Sequence, residues 1–286
     1  MGTAQLILMQ VLNTGVIIGI LMLVTLGLGV IYGLMDVLNL AHGEFLMLGA
    51  YGVVVAGSLG LGSWEAMLVA PIMTAVVAFA LEKGLISRLY RRPLDALLAT
   101  WAVSLMLSQG IRLIFGPAPQ SVGAPIQGAV DILGLPFPKY RLFVLIVSVV
   151  LTLVVLALFR YPTFGVKMRA VFQDADMARC LGIRAPRIYS VAFVIGGALA
   201  GFAGALIAPL VTVEPTMGAV YLVRSFLTVI VGGVGNLIGV VGGSAVIGGA
   251  EGAISYFSSG VWAQVAVLAI AIAIVRIRPS GIFSRK

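Results

Sequence analysis

Long apolar runs alternate with short polar clusters along this chain, and the runs are too long for soluble elements. They cover roughly 6–33, 37–57, 64–81, 94–115, 142–158, 189–213, 221–250 and 261–275. Several approach or exceed the roughly 20 residues that a helix needs to cross about 30 Å of hydrocarbon, and none shows the alternating ten-residue pattern of a membrane barrel. The pattern predicts an all-α, polytopic membrane protein with about eight hydrophobic helical segments, built as a single domain over 1–286. The first run has no basic leader and no small-residue cleavage signal, so it is expected to stay as a span. Inside the seventh run, Gly232-Gly233-Val234-Gly235-Asn236 interrupts the helical pattern.

Charge orients these segments. Fourteen of the eighteen Lys and Arg residues fall in three regions, 83–92, 160–187 and 276–286. Short loops rich in Lys and Arg stay on the cytoplasmic side, which places these three there. Two segments separate the first region from the second, as that requires. Counting back from Lys83 through three spans puts the N-terminus outside, and a cytoplasmic C-terminus requires an odd number of crossings after Glu214. Only two apolar runs remain, so the seventh either re-enters without crossing or splits into two spans around GGVGN. Irregular backbone at membrane depth is tolerated where protein or a water-filled cavity satisfies it.

Composition agrees with a bilayer and narrows the chemistry. Hydrophobic residues make up 61% of the chain and charged residues 10%, with a mean hydropathy of +1.15, against about 25% charged in soluble domains. The net charge of +8 is gathered at membrane edges, which points to anionic lipid and orientation and away from nucleic acid. His42 is the only histidine and Cys180 the only cysteine, so no metal cluster, disulfide or histidine-based hydrolytic site can be assembled. No G-x-x-x-x-G-K-[ST] loop occurs, so the chain itself is expected to bind no ATP and no cofactor. The 36 glycines sit mostly within the apolar runs; Gly15/Gly19, Gly197/Gly201 and the Ala200/Gly204/Ala208 ridge allow close helix approach.

The longest charged interruption is 160–187. Through it Met168, Val171, Phe172, Ala175, Ala178 and Leu181 recur at helical spacing, which predicts one short amphipathic helix on the membrane surface. Polar residues within the apolar runs form a second group. Asn39, His42 and Glu44, with Asp36 just before them, interrupt the first two segments, where ionisable groups mark either an interfacial turn or a pathway. Thr100, Ser104 and Ser108 form a stripe that either lines a passage or bonds helix to helix. Arg112 and Arg224 lie near predicted external ends; either one facing a cavity would favour a carboxylate-bearing solute.

Taken together these motifs resemble the permease subunits of ATP-binding-cassette importers for branched-chain amino acids and urea. The resemblance rests on NLAHGEFLMLGAY at 39–51, RRPLDALLATW at 91–101, RYPTFGVKMRAVFQDADMARCLGI at 160–183, VEPTMGAVYLVRSFLTVIVGGVGN at 213–236 and RPSGIF at 278–283. It implies a multi-pass protein of the bacterial inner membrane, translocating a small polar solute. Its implied partners are a second permease subunit, identical or homologous, two cytoplasmic ATPase subunits that use ATP, and a periplasmic substrate-binding protein. It also gives 165–183 the role of the ATPase-coupling element, with Gly165, Arg169, Asp174, Met177, Ala178, Gly182 and Ile183 as contact residues. Asn39, His42, Glu44, Thr100, Ser104, Ser108, Arg224 and Asn236 are the candidate pathway residues. LLATW and the spacing of VEP…G…Y…SF are closer to the urea and short-amide branch, but Arg224 stands where that pattern has an acidic residue. A passive urea or amide channel is the rival reading, and an ion-coupled carrier built from paired half-helices is a third.

Overall fold

The computed structural model describes residues 3–35, 37–90, 92–132, 134–161, 164–258 and 260–283. Asp36, and Arg91, Pro162 and Thr163 of the quoted motifs, lie outside the described residues, as do the two cations of 284–286. The helices are α1 (Thr3–Met35), α2 (His42–Ser58), α3 (Ser63–Gly84), α4 (Pro93–Phe115), α5 (Lys139–Arg160), α6 (Phe164–Gln173), α7 (Ala175–Cys180), α8 (Ala185–Ile207), α9 (Met217–Gly232), α10 (Leu237–Phe257) and α11 (Gly260–Ile277). A two-stranded hairpin, β1 (Ala129–Ile132) with β2 (Leu135–Pro138), pairs Val130 with Phe137 and precedes α5. Seven of the helices are long and apolar enough to cross a membrane.

The seventh apolar run is two helices. Gly233 and Gly235 have φ of +103° and +79°, a left-handed conformation that side chains with a Cβ avoid, and the chain reverses there. α9 and α10 then pack antiparallel. A Cβ on Gly232 would sit 2.2 Å from the Gly239 carbonyl oxygen, and one on Gly243 would sit 2.5 Å from that of Thr228. Three helices therefore follow residue 214, of which α10 and α11 are long enough to cross a membrane and α9 is shorter, so the run is divided at GGVGN.

α1, α8 and α10 form the centre. α8 runs antiparallel to α1, with Gly27 and Gly196 so close that a Cβ on Gly27 would lie 2.5 Å from the Gly196 carbonyl oxygen. On its other faces α8 receives α2 at Leu46 and Gly49, and α3 at Thr74 and Ala78. Glycines are required here because lipid supplies no hydrophobic drive between helices, and dispersion at short range must hold them. A Cβ on Gly204 would stand 1.9 Å from the Leu46 carbonyl oxygen, and one on Gly49 would stand 2.0 Å from that of Gly201. α3, α4, α5 and α11 surround this centre and turn large apolar side chains outward, among them Trp101, Met106, Leu113 and Trp262.

The contacts gather the basic regions at one end of the bundle. Lys83 Nζ donates to Ser190 Oγ at 2.8 Å, and Tyr90 packs on Tyr189. The Tyr90 hydroxyl donates to Glu82; burial first, and that carboxylate second, hold the phenol above its usual range. Phe172 touches Gly33 and Gly235, and Gly281 touches Gly233. At the opposite end Tyr140 Oη donates to the Leu206 carbonyl at 2.7 Å, Trp64 stacks edge-on against Phe143 and Gln120 bridges to Val213.

Candidate functional site

Two cavities lie along α1, separated by a plug. The first, of about 280 Å³, is lined on α1 by Asn13, Val16, Ile17, Ile20 and Leu21, and elsewhere by Arg141, Leu210, Tyr221, Arg224 and Glu251. The second, of about 1040 Å³, is lined on α1 by Gly29, Val30, Gly33 and Leu34, and elsewhere by Arg160, Arg169, Phe172, Gly235 and Asn236. Between them run seven residues, 22–28, about 10 Å of helix. Leu23, Val24, Leu26 and Leu28 are fully buried there, and Leu26 and Leu28 pack against Val229 and Val240. The plug is apolar where α1, α9 and α10 meet, with Thr25 the one buried hydroxyl of the segment, so a polar solute cannot pass it without the helices moving.

The smaller cavity, at the end away from the basic regions, holds a charge pair. Arg224 Nη1 lies 3.0 Å from Glu251 Oε1, with the two side chains only 20% and 11% exposed. The guanidinium also stands over the Tyr221 ring, 5.5 Å from its centre. Arg141 Nη1 donates to Asn13 Oδ1 at 2.5 Å. Arg224 is thus turned inward against α10, which the snorkelling alternative did not foresee. Glu251, Asn13, Arg141 and Tyr221 escaped the sequence reading. A signal existed for Glu251, a lone carboxylate closing a long apolar run.

The remaining pathway candidates divide into three groups. α2 begins inside the bundle, so Asn39, His42 and Glu44 are buried. His42 Nε2 donates to the Val24 carbonyl oxygen at 3.0 Å, which fixes the tautomer and anchors α2 to the plug. Thr100 and Ser104 meet this group, since the Leu40 amide donates to Thr100 Oγ1 at 3.2 Å and Ser104 Oγ donates to Glu44 Oε1 at 2.9 Å. Gly43 touches Gly218, so the first turns of α2 and α9 meet. Ser108 stands apart and donates to the Leu105 carbonyl of its own helix at 3.2 Å. Asn236 sits on the larger cavity: its Oδ1 caps α10 by accepting from the Ile238 amide at 3.1 Å, and its Nδ2 donates to the Phe283 carbonyl at 2.7 Å.

The predicted single surface helix is two helices, broken at Asp174. Asp174 Oδ1 accepts from the amides of Asp176 and Met177, both at 2.9 Å, and so caps α7. At the other end Gly182 has φ of +80°. The Ile183 amide donates to Ala178 and the Gly182 amide to Arg179, both at 3.0 Å, which is the Schellman stop. A side chain that prefers capping to helix interior, followed by a glycine stop seven residues past the first helical residue, explains the division. Met168, Val171 and Ala178 are buried, whereas Met177 and Leu181 are 60% and 74% exposed. Gly165 backs α6 against α5, where a Cβ would stand 1.9 Å from the Phe159 carbonyl oxygen. Arg169 Nη1 donates to that same oxygen at 2.5 Å.

A glycine-packed helical bundle with opposed cavities defines a membrane permease, and comparison with known proteins specifies which. The pattern of the family described as branched-chain amino acid transport system, permease component, matches residues 10–275, and the chain belongs to that family. It is 27% identical to the high-affinity branched-chain amino acid transport system permease protein LivH of Salmonella typhimurium, covering 92% of this chain and 91% of that one. A probable LivH of Methanocaldococcus jannaschii is 31% identical, with 92% and 88% covered. The LivM permease protein of Escherichia coli is 31% identical over 208 residues, 64% of this chain and 48% of that one. No solved structure matches. The chain is therefore a multi-pass inner-membrane protein and a permease component of an ABC importer.

Proposed function

We propose that the chain forms half of the pathway of an ATP-driven importer for a branched-chain amino acid, with a homologous permease beside it. ATPase subunits act at α6–α7, and a binding protein delivers solute at the opposite end. The observation that carries this reading is the pair of cavities on one plugged helix, with α6 seated at the rim of the larger one. The basic end faces the cytoplasm, as the clustering of positive charge supports. The smaller cavity then opens outward and the larger one inward, which is the geometry alternating access needs. The closed, largely apolar plug favours this gated importer over a passive channel.

Energy enters through a short mechanical link. A Cβ on Gly235 would lie 2.3 Å from Phe172 Cζ, and one on Gly33 would lie 3.3 Å from Phe172 Cε2. The ring is held between α1 and the α9–α10 turn, so displacement of α6–α7 reaches both walls of the plug. Both α7 termini are capped, and Met177 and Leu181 offer an apolar contact among cations; Cys180 lies exposed beside them. ATP closure biases the bundle only insofar as the ATPases bind α6–α7 differently in its two arrangements. In proteoliposomes holding the full complex, Phe172→Ala is expected to leave ATP hydrolysis within about twofold of wild type while uptake falls at least tenfold. Equal uptake by the variant removes the coupling assignment, and uptake without ATP favours the channel.

A further inference from the structure

We infer that the smaller cavity is a binding site for a zwitterionic, branched aliphatic amino acid, in which Arg224 takes the carboxylate and Glu251 takes the ammonium. This inference rests on the importer reading and adds to it a site within the permease itself.

The wall chemistry argues for it. A cavity of about 280 Å³ falls just below the roughly 300–1,000 Å³ that small-molecule sites occupy, as suits a small solute. Its walls are branched and aliphatic: Val16, Ile17, Ile20, Leu21, Ile207 and Leu210. Three charged groups face this space: Arg141 is engaged by Asn13 Oδ1 at 2.5 Å, which leaves Arg224 and Glu251 as the pair of opposite sign. A solute with a single charge that broke the Arg224–Glu251 pair would neutralise one member and leave the other unpaired among apolar walls. A zwitterion compensates both. A neutral solute such as urea gives neither charge a counter-ion.

The geometry of the pair fits exchange. One guanidinium nitrogen meets one carboxylate oxygen, and beyond the Tyr221 ring no second polar partner holds either side chain among the described residues. The remaining guanidinium donors suit a two-pronged grip on a carboxylate. Entry of the zwitterion replaces one ion pair by two and leaves net charge unchanged. Neither helix need be rebuilt, because Arg224 is on α9 and Glu251 on α10.

That division gives the site a consequence for transport. The two helices joined at the GGVGN turn each hold one end of the solute, so occupancy alters the force between them. The same turn receives Phe172. Solute in the outward cavity and the coupling element below therefore act on one hinge.

The test uses the complete importer in nanodiscs without its binding protein, with ligand contact read by saturation-transfer NMR, and in liposomes with binding protein and ATP for uptake. L-leucine is expected to bind at least tenfold more tightly than 4-methylpentanoate, which lacks the ammonium, or 3-methylbutylamine, which lacks the carboxylate. Glu251→Gln should weaken L-leucine at least tenfold and narrow the gap to 4-methylpentanoate; Arg224→Gln should narrow the gap to 3-methylbutylamine. Val211→Trp, which adds bulk at a half-exposed lining residue outside the ion pair, should weaken L-leucine even if the charge variants fail to fold. Equal binding of the three ligands by wild type, or L-leucine contact unchanged in Val211→Trp, overturns the site. Wild-type vesicles that import L-leucine while all folded variants match them reject the site and leave the importer standing. Wild-type vesicles that take up no L-leucine with ATP reject the amino-acid reading as well.

Discussion

α4 and α8 are both 23 residues long, and both carry proline in the first turn after an arginine, yet one is the wall of the molecule and the other its axle. In α8, 72% of the most apolar stretch is buried; in α4 it is 11%. Hydrophobicity does not explain the contrast, because lipid is as apolar as any side chain. Smallness does. α8 places Gly196 and Gly204 where neighbouring backbones arrive, and Gly197 and Gly201 where the Ala78 and Thr74 side chains do, while α4 presents Leu98, Trp101, Leu105 and Met106 outward. α4 is held by a few specific bonds instead, through Thr100, Ser104 and the contact of Phe115 with Tyr51.

The sharpest way to break this comparison is one substitution made in both helices. Gly204→Leu must displace the backbone of α2, and is expected to cost at least about 3 kcal/mol, leaving no monodisperse folded peak on detergent size-exclusion. Gly110→Leu on α4 meets nothing within 4 Å and should keep the peak, with helix propensity gaining about 1 kcal/mol. A second pair separates glue from ornament on α4 itself. Ser104→Ala takes the donor from the buried Glu44 carboxyl and should lower stability by about 1–3 kcal/mol, read as a fall in the thermal midpoint; Ser108→Ala should leave the midpoint in place. The smallest effect belongs to the outer face. Leu113, 87% exposed, changed to Ala should shift stability by no more than about 0.5 kcal/mol.

Much of the bundle was legible in the chain because membrane helices announce themselves by length, and cations by side. Seven of the apolar runs became helices near the expected bounds, and the parity of crossings marked the seventh run as no simple span while the glycines of GGVGN marked where it breaks. The division of 165–183 was less visible, since Met168, Val171 and Ala178 keep one helical rhythm across Asp174 and only its capping chemistry marks the boundary. Pathway candidates fared unevenly for a physical reason. A polar residue in an oily run shows that a partner is needed, but not which one. Thr100 and Ser104 found partners across a helix boundary, whereas Ser108 found its own backbone. The Arg224–Glu251 pair joins two helices that the sequence presents as a single run, so neither member could name the other.

The brace at the α9–α10 turn carries a consequence for biosynthesis. Asn236 bonds the carbonyl of a residue 47 positions later, the Ile282 amide donates to Val231 and the Phe283 ring covers Gly242. As the chain leaves the ribosome, α9 and α10 are inserted well before that clasp exists, and the turn stays open until α11 has followed. Folding of this hinge is therefore a late, post-insertion event, and a nascent chain stalled after α10 would hold both cavities' shared wall without the strap that sets its angle.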